Sequence, residues 1–134
     1  MAERWIIDAM NVIGSRPDGW WHDRPGAMRD LLHRLIADHV TTGRRYTLVV
    51  EGRVPDDLTE RVAAGVDVVD AGGRGRDVAD DRIVSLVADA SQPADVTVVT
   101  SDKELVTRVR GLGAEVVGAG TFRDELEESS RGRP

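Results

Sequence analysis

Three short runs of apolar, β-favouring residues divide the chain: Trp5-Ile6-Ile7, Tyr46-Thr47-Leu48-Val49-Val50 and Val96-Thr97-Val98-Val99. Each is continuous rather than alternating, which predicts strands covered on both faces. Two weaker runs, Val66 to Val69 and Glu115-Val116-Val117, predict two more. Between the runs the period changes. After Pro25-Gly26, Met28, Leu31, Leu32, Leu35, Ile36 and Val40 recur at three- and four-residue spacing, which predicts one amphipathic helix that Gly43 stops. A short helix follows Pro55, with Leu58 and Val62 on one side, and another runs from Val78 to Ala90. The next, Asp102 to Leu112, turns Leu105, Val109 and Leu112 inward. A last helix, Phe122 to Glu128, packs Phe122 and Leu126, and Ser129 to Pro134 read as a frayed tail. The longest stretch without a predicted element is Ala9 to Arg24, and loops of that length are usually functional or mobile.

Strands alternating with helices predict a parallel sheet with helices on both faces, a single three-layer Rossmann-like α/β domain over residues 1–128. A chain of 134 residues fits one domain and buries roughly two-thirds of its unfolded surface. The 40% hydrophobic fraction argues against disorder. With no cysteine, disulfides, thiolate metal sites and cysteine nucleophiles are excluded. No apolar run approaches the ~20 residues of a membrane span. Met1-Ala2-Glu3-Arg4-Trp5 leads straight into a strand and does not read as a signal peptide. The expectation is a soluble cytoplasmic protein without a membrane partner.

Acidic residues stand at the C-terminal ends of the three best strands. Asp8 ends the first, Glu51 follows the second, and Asp102 follows the Val96–Val99 run after Thr100-Ser101. In open α/β sheets, ligands bind outside the carboxyl ends of the strands. Helix capping is the competing explanation. It weighs equally for Asp102 and less for Asp8, where no helix is predicted in the next several residues. In Asp77-Val78-Ala79-Asp80-Asp81, Asp77 reads best as a cap. Asp80 lies three, four and seven residues before Ile83, Val84 and Val87, so it shares the inward helix face. Asp81 sits beside that stripe. Carboxylates that converge repel one another, on the order of 4 kcal/mol per pair at 4 Å and an effective dielectric of 20. They persist with protons or a cation, and an all-oxygen ligand set favours Mg²⁺ or Mn²⁺.

The order of these motifs resembles a known family. Asp8-Ala9-Met10-Asn11-Val12-Ile13-Gly14 is similar to the opening D-x-x-N-V motif of NYN domains, in particular the YacP-like branch of the PIN-like nuclease superfamily. Ala79-Asp80-Asp81-Arg82-Ile83 resembles that branch's acidic helix start, Val99-Thr100-Ser101-Asp102 its third acidic motif, and Leu112-Gly113-Ala114-Glu115-Val116 its closing segment. The resemblance implies strand order 3-2-1-4-5, which makes Asp8 and Asp102 neighbours. It also implies metal-dependent RNA cleavage, with Asp8, Asp80 and Asp102 carrying metal, Asn11 orienting Asp8 or a phosphate, and Asp81 as an extra ligand. Glu51 stands where relatives often have Asp, which suggests a ligand acting through water. Metal-activated water would leave a 5′-phosphate and a 3′-hydroxyl.

The remaining chemistry concerns RNA, single-stranded or structured. Trp20 and Trp21, in the long first loop, would either stack unpaired bases or plug the loop onto the domain, the commoner fate of such rings. Arg16, Arg24, Arg53, Arg74 and Arg76 fall on loops after strands, where they would line a phosphate path with Lys103, the only lysine. The net charge of −6 argues against a protein that coats nucleic acid by charge alone. Gly72-Gly73-Arg74-Gly75 completes no dinucleotide fingerprint, and there is no P-loop or G-x-S-x-G elbow. Rival readings are an RNA-binding module without turnover and a small-molecule phosphatase or nucleotide-binding domain. A homodimer stays open.

Overall fold

A computed structural model describes residues 4–59, 65–73 and 76–131, apart from the side chains at 59, 76, 130 and 131. Five parallel strands form one sheet in the order β3-β2-β1-β4-β5. They are β1 Arg4–Asp8, β2 Arg45–Val50, β3 Val66–Asp70, β4 Val96–Val99 and β5 Glu115–Val117. The helices are α1 Ala9–Ile13, α2 Arg24–Thr42, α3 Asp56–Thr59, α4 Arg76–Ala88, α5 Lys103–Gly111 and α6 Ala119–Arg131, with 3-10 turns at Trp20–His22 and Pro93–Asp95. Fold class and strand order are those expected.

The strands read as continuous apolar runs because both faces are covered. Trp5 and Ile7 of β1 join Tyr46, Leu48 and Val50 of β2 in a core roofed by α1, α2 and α6. Ile6, Val49, Val96 and Val98 face the other way, against Ala79, Ile83 and Val87 of α4 and Leu105 and Val109 of α5. The side-chain alternation of a strand sorts one sequence into two cores. Fully burying a residue such as Ile6 or Ile83 contributes roughly 1.5–3 kcal/mol.

Four local expectations change. First, α1 begins directly after β1, inside the stretch read as structureless. It has only five residues, too few to show a helical period. Second, Val40 is 79% exposed. It lies five residues past Leu35, and five steps of about 100° turn it off the inward stripe. Asp38 takes the inward place instead and is buried. Third, Leu112 is exposed because α5 ends at Gly111 and Leu112 is its C-cap. Fourth, α6 continues to Arg131, so the segment read as frayed from Ser129 is helical at its start. Gly43 does end α2, in a left-handed conformation with φ 77°. Val62, expected on the helix after Pro55, lies outside the described residues.

Candidate metal centre

The strand order puts β1 between β2 and β4, at the point where the chain switches direction across the sheet. Asp8 pairs with Val49 in register, and Ile7 with Val99, so the residue after Val99 comes level with Asp8. That residue is Thr100. Its hydroxyl donates to Asp8 Oδ2 at 2.9 Å and accepts the Asp102 backbone N–H at 3.1 Å. Asn11 Oδ1 accepts the Ser101 N–H at 2.8 Å, and Ser101 Oγ accepts the N–H of Ala119, the first residue of α6, at 2.8 Å. The turn Thr100-Ser101-Asp102 is thereby tied to β1, α1, α5 and α6.

Asp8 occupies the N-cap position of α1 without making a side-chain cap hydrogen bond. By parity it shares the Ile6 face of β1, toward α4, where Asp80 is 2% exposed. Asp8 itself is 6% exposed, and its carboxyl pKa is raised to about 7. Burial is the main cause. The Thr100 hydrogen bond opposes it, and the charges of Asp80, Glu51 and Asp102 add to it. The structure therefore brings three of the expected carboxylates, Asp80, Glu51 and Asp102, close enough to act on a fourth, Asp8. Glu51 Oε2 is buried with no hydrogen-bond partner among the described residues.

Other members of the expected set have different employment. Asp102 Oδ1 caps α5, accepting from Glu104 N at 3.0 Å and Leu105 N at 3.1 Å. Capping and a place beside Asp8 are thus compatible for this residue. Asp81 is exposed and bonds Arg108 of α5 at 2.9 Å. Its carboxylate is engaged there rather than with Asp8. Asp77 lies inside the first turn of α4 rather than at its cap. Asn11 holds the Asp102 turn, and Thr100 is the residue that bonds Asp8. Among the described residues, no group of three His, Asp or Glu side chains is gathered tightly enough to enclose one ion. The donor chemistry suits a hard divalent cation: carboxylate oxygens only, one of them an unbonded buried oxygen, around an acid whose charge is disfavoured.

The expected RNA-contacting residues divide as well. Arg16 forms ion pairs with Asp124 and Glu127 of α6. Arg24 donates to the backbone carbonyls of Glu51 and, at 2.8 Å, of Arg53. Gly52 makes room for that clasp: its φ is 76°, and a Cβ there would stand 2.9 Å from Arg24 Nη2. Arg16 and Arg24 are therefore structural braces. Arg53 and Lys103 are exposed. Arg74 and the Arg76 side chain lie outside the described residues. Trp20 is half-buried against the α2 core, while Trp21 is 55% exposed.

A sequence model of the YacP-like NYN domain matches residues 5–133. The chain belongs to that family. The family is one of PIN-like nucleases, which gives the domain a nuclease or RNA-related role. Two crystal structures of Rae1 (YacP) from Bacillus subtilis share the fold. One superposes with TM-score 0.74 at 24% identity, over 96% of this chain and 76% of that one. Its W164L mutant superposes with TM-score 0.74 at 23% identity, over 96% and 77%. No curated protein matches the chain at a significant level. In this NYN domain the two ends of the D-x-x-N motif differ in setting: Asp8 is a buried acid whose charged form is disfavoured, and Asn11 accepts the Ser101 N–H in the turn that leads to Asp102. Among the described residues no helix is long and apolar enough to cross a membrane.

Proposed function

We propose that the domain is a metal-dependent ribonuclease that hydrolyses RNA phosphodiester bonds with water as nucleophile. The observation that carries this is Asp8: a carboxylate buried at the switch point of the sheet, hydrogen-bonded to one hydroxyl and within electrostatic reach of three further carboxylates. Asp8, Asp80 and Asp102 would hold Mg²⁺ or Mn²⁺, with Glu51 acting through water. When bound, the cation would supply charge neutralisation at the phosphodiester and a lowered pKa for water. The chain's own part is to hold the acids in place. Thr100 orients Asp8 through Oδ2, Asn11 and Ser101 fix the turn, and Arg24 fixes the backbone of Glu51 and Arg53. Attack of water on phosphorus with cleavage of the bond to O3′ leaves a 5′-phosphate and a 3′-hydroxyl.

A labelled single-stranded RNA incubated with Mn²⁺ tests the reading, wild type beside Asp8→Asn. Cleavage by the wild type alone supports it, and equal cleavage by both refutes it. One observation favours a second reading, an RNA-binding module without turnover: no three ligands are gathered around one point among the described residues. Binding without cleavage, across several RNAs and both metals, would establish that reading instead. Location in the cytoplasm accords with an RNA substrate and belongs to the same proposal.

A further inference from the structure

The 3-10 turn Trp20–His22 immediately precedes α2, whose first residue, Arg24, reaches the carbonyls of Glu51 and Arg53. That clasp fixes the turn on the carboxylate edge of the sheet. The two indoles there have separate duties. Trp20 packs on the core. Trp21 stands against it at 5.9 Å and 85°, with the His22 ring centroid 5.6 Å from its own, and remains 55% exposed. An exposed indole braced in this way loses little freedom when something stacks on it. Arg53 is exposed on the same edge, its backbone held by Arg24. The protein's net charge is −6, so phosphate attraction alone supplies little affinity for a nucleic acid.

We propose that Trp21 is a stacking platform for an unpaired base of a single-stranded nucleic acid, with Arg53 on the adjoining phosphate. This rests on the ribonuclease reading and specifies its substrate. In a duplex the base faces are already stacked on one another, whereas a single strand offers them to the ring. Because stacking carries a large share of the affinity, binding falls only shallowly with salt.

The test uses a labelled single-stranded RNA oligonucleotide and its perfect duplex, titrated without divalent cation so that binding is read apart from cleavage. The wild type should prefer the single strand. Trp21→Ala should weaken that binding roughly tenfold or more and leave the salt slope unchanged. Trp21→Phe should retain most of the affinity, and Arg53→Ala should weaken binding and flatten the slope. The melting temperature of each variant separates lost contact from lost fold. Equal affinity of Trp21→Ala and wild type for the single strand, or a preference for the duplex, overturns the proposal. So does a Trp21→Ala variant that binds RNA normally but no longer self-associates in sedimentation, since the ring would then serve a second copy of the chain. Cleavage by the wild type with Mn²⁺ on the same oligonucleotide is the separate readout. If it persists while Trp21→Ala binds normally, the stacking proposal fails and the nuclease reading stands.

Discussion

Asp8 and Asp38 are buried to nearly the same depth, 6% and 4% exposed, yet their surroundings have opposite character. Asp38 replaces an apolar residue on the inward face of α2 and meets neutral donors. The Tyr46 hydroxyl of β2 donates to its Oδ2, and Ser129 of α6 lies 3.4 Å from its Oδ1. Burial, and then Asp38 itself, push the Tyr46 hydroxyl above its ordinary pKa, so it stays a donor. Asp8 meets one hydroxyl and three carboxylates. A buried acid supplied with donors joins elements of the fold. A buried acid crowded by like charge has no such reason to be there, and a cation or a proton supplies one.

The sharpest way to break this contrast is to remove each charge in turn. Asp8→Asn and Asp102→Asn should each abolish Mn²⁺-dependent RNA cleavage while RNA binding, read by fluorescence anisotropy, stays largely intact. Asp38→Asn should leave the cleavage product unchanged. Next in size is the pH dependence of the metal-free protein. The folded pKa of Asp8, about 7, lies above its ordinary 3.8. The fold thus binds this proton more tightly than the unfolded chain does. The associated stability is fully present below pH 3.8 and is lost as pH rises to about 7, by an amount on the order of 4 kcal/mol. Denaturant midpoints across this range should show that loss in the wild type but not in Asp8→Asn.

A smaller effect comes from the cation. Mn²⁺ at a hundredfold excess over its dissociation constant should stabilise the fold by ~2.7 kcal/mol, read in thermal melts. Asp80→Asn should weaken that response and stabilise the metal-free protein by deleting a repelling charge. Smallest is Tyr46→Phe, which removes the donor to Asp38. It should cost about 2 kcal/mol, the same with and without Mn²⁺, in urea titrations.

The fold was readable because each strand run is short, apolar and separated from the next by a helical period. The carboxylates at the strand ends were readable for the same reason, since a strand's end sets where an acid can point. What escaped was the wiring. Thr100 is recognisable only once β4 is known to pair with β1, because its closeness to Asp8 is a matter of register. The bracing contacts of Arg16 and Arg24 were not legible, because a loop arginine carries no mark of its partner. Their partners, Glu127 and the Glu51 carbonyl, lie 111 and 27 residues away. Trp20 and Trp21 are adjacent in sequence and only the turn that holds them separates a core ring from an exposed one.

If the group around Asp8 holds a divalent cation, an anomalous-scattering map from a crystal soaked in Mn²⁺ should show a peak bounded by the carboxylates of Asp8, Asp80 and Asp102, lost in Asp8→Asn. A map with no peak there, or with Mn²⁺ bound only at exposed acids such as Asp81, would contradict that reading.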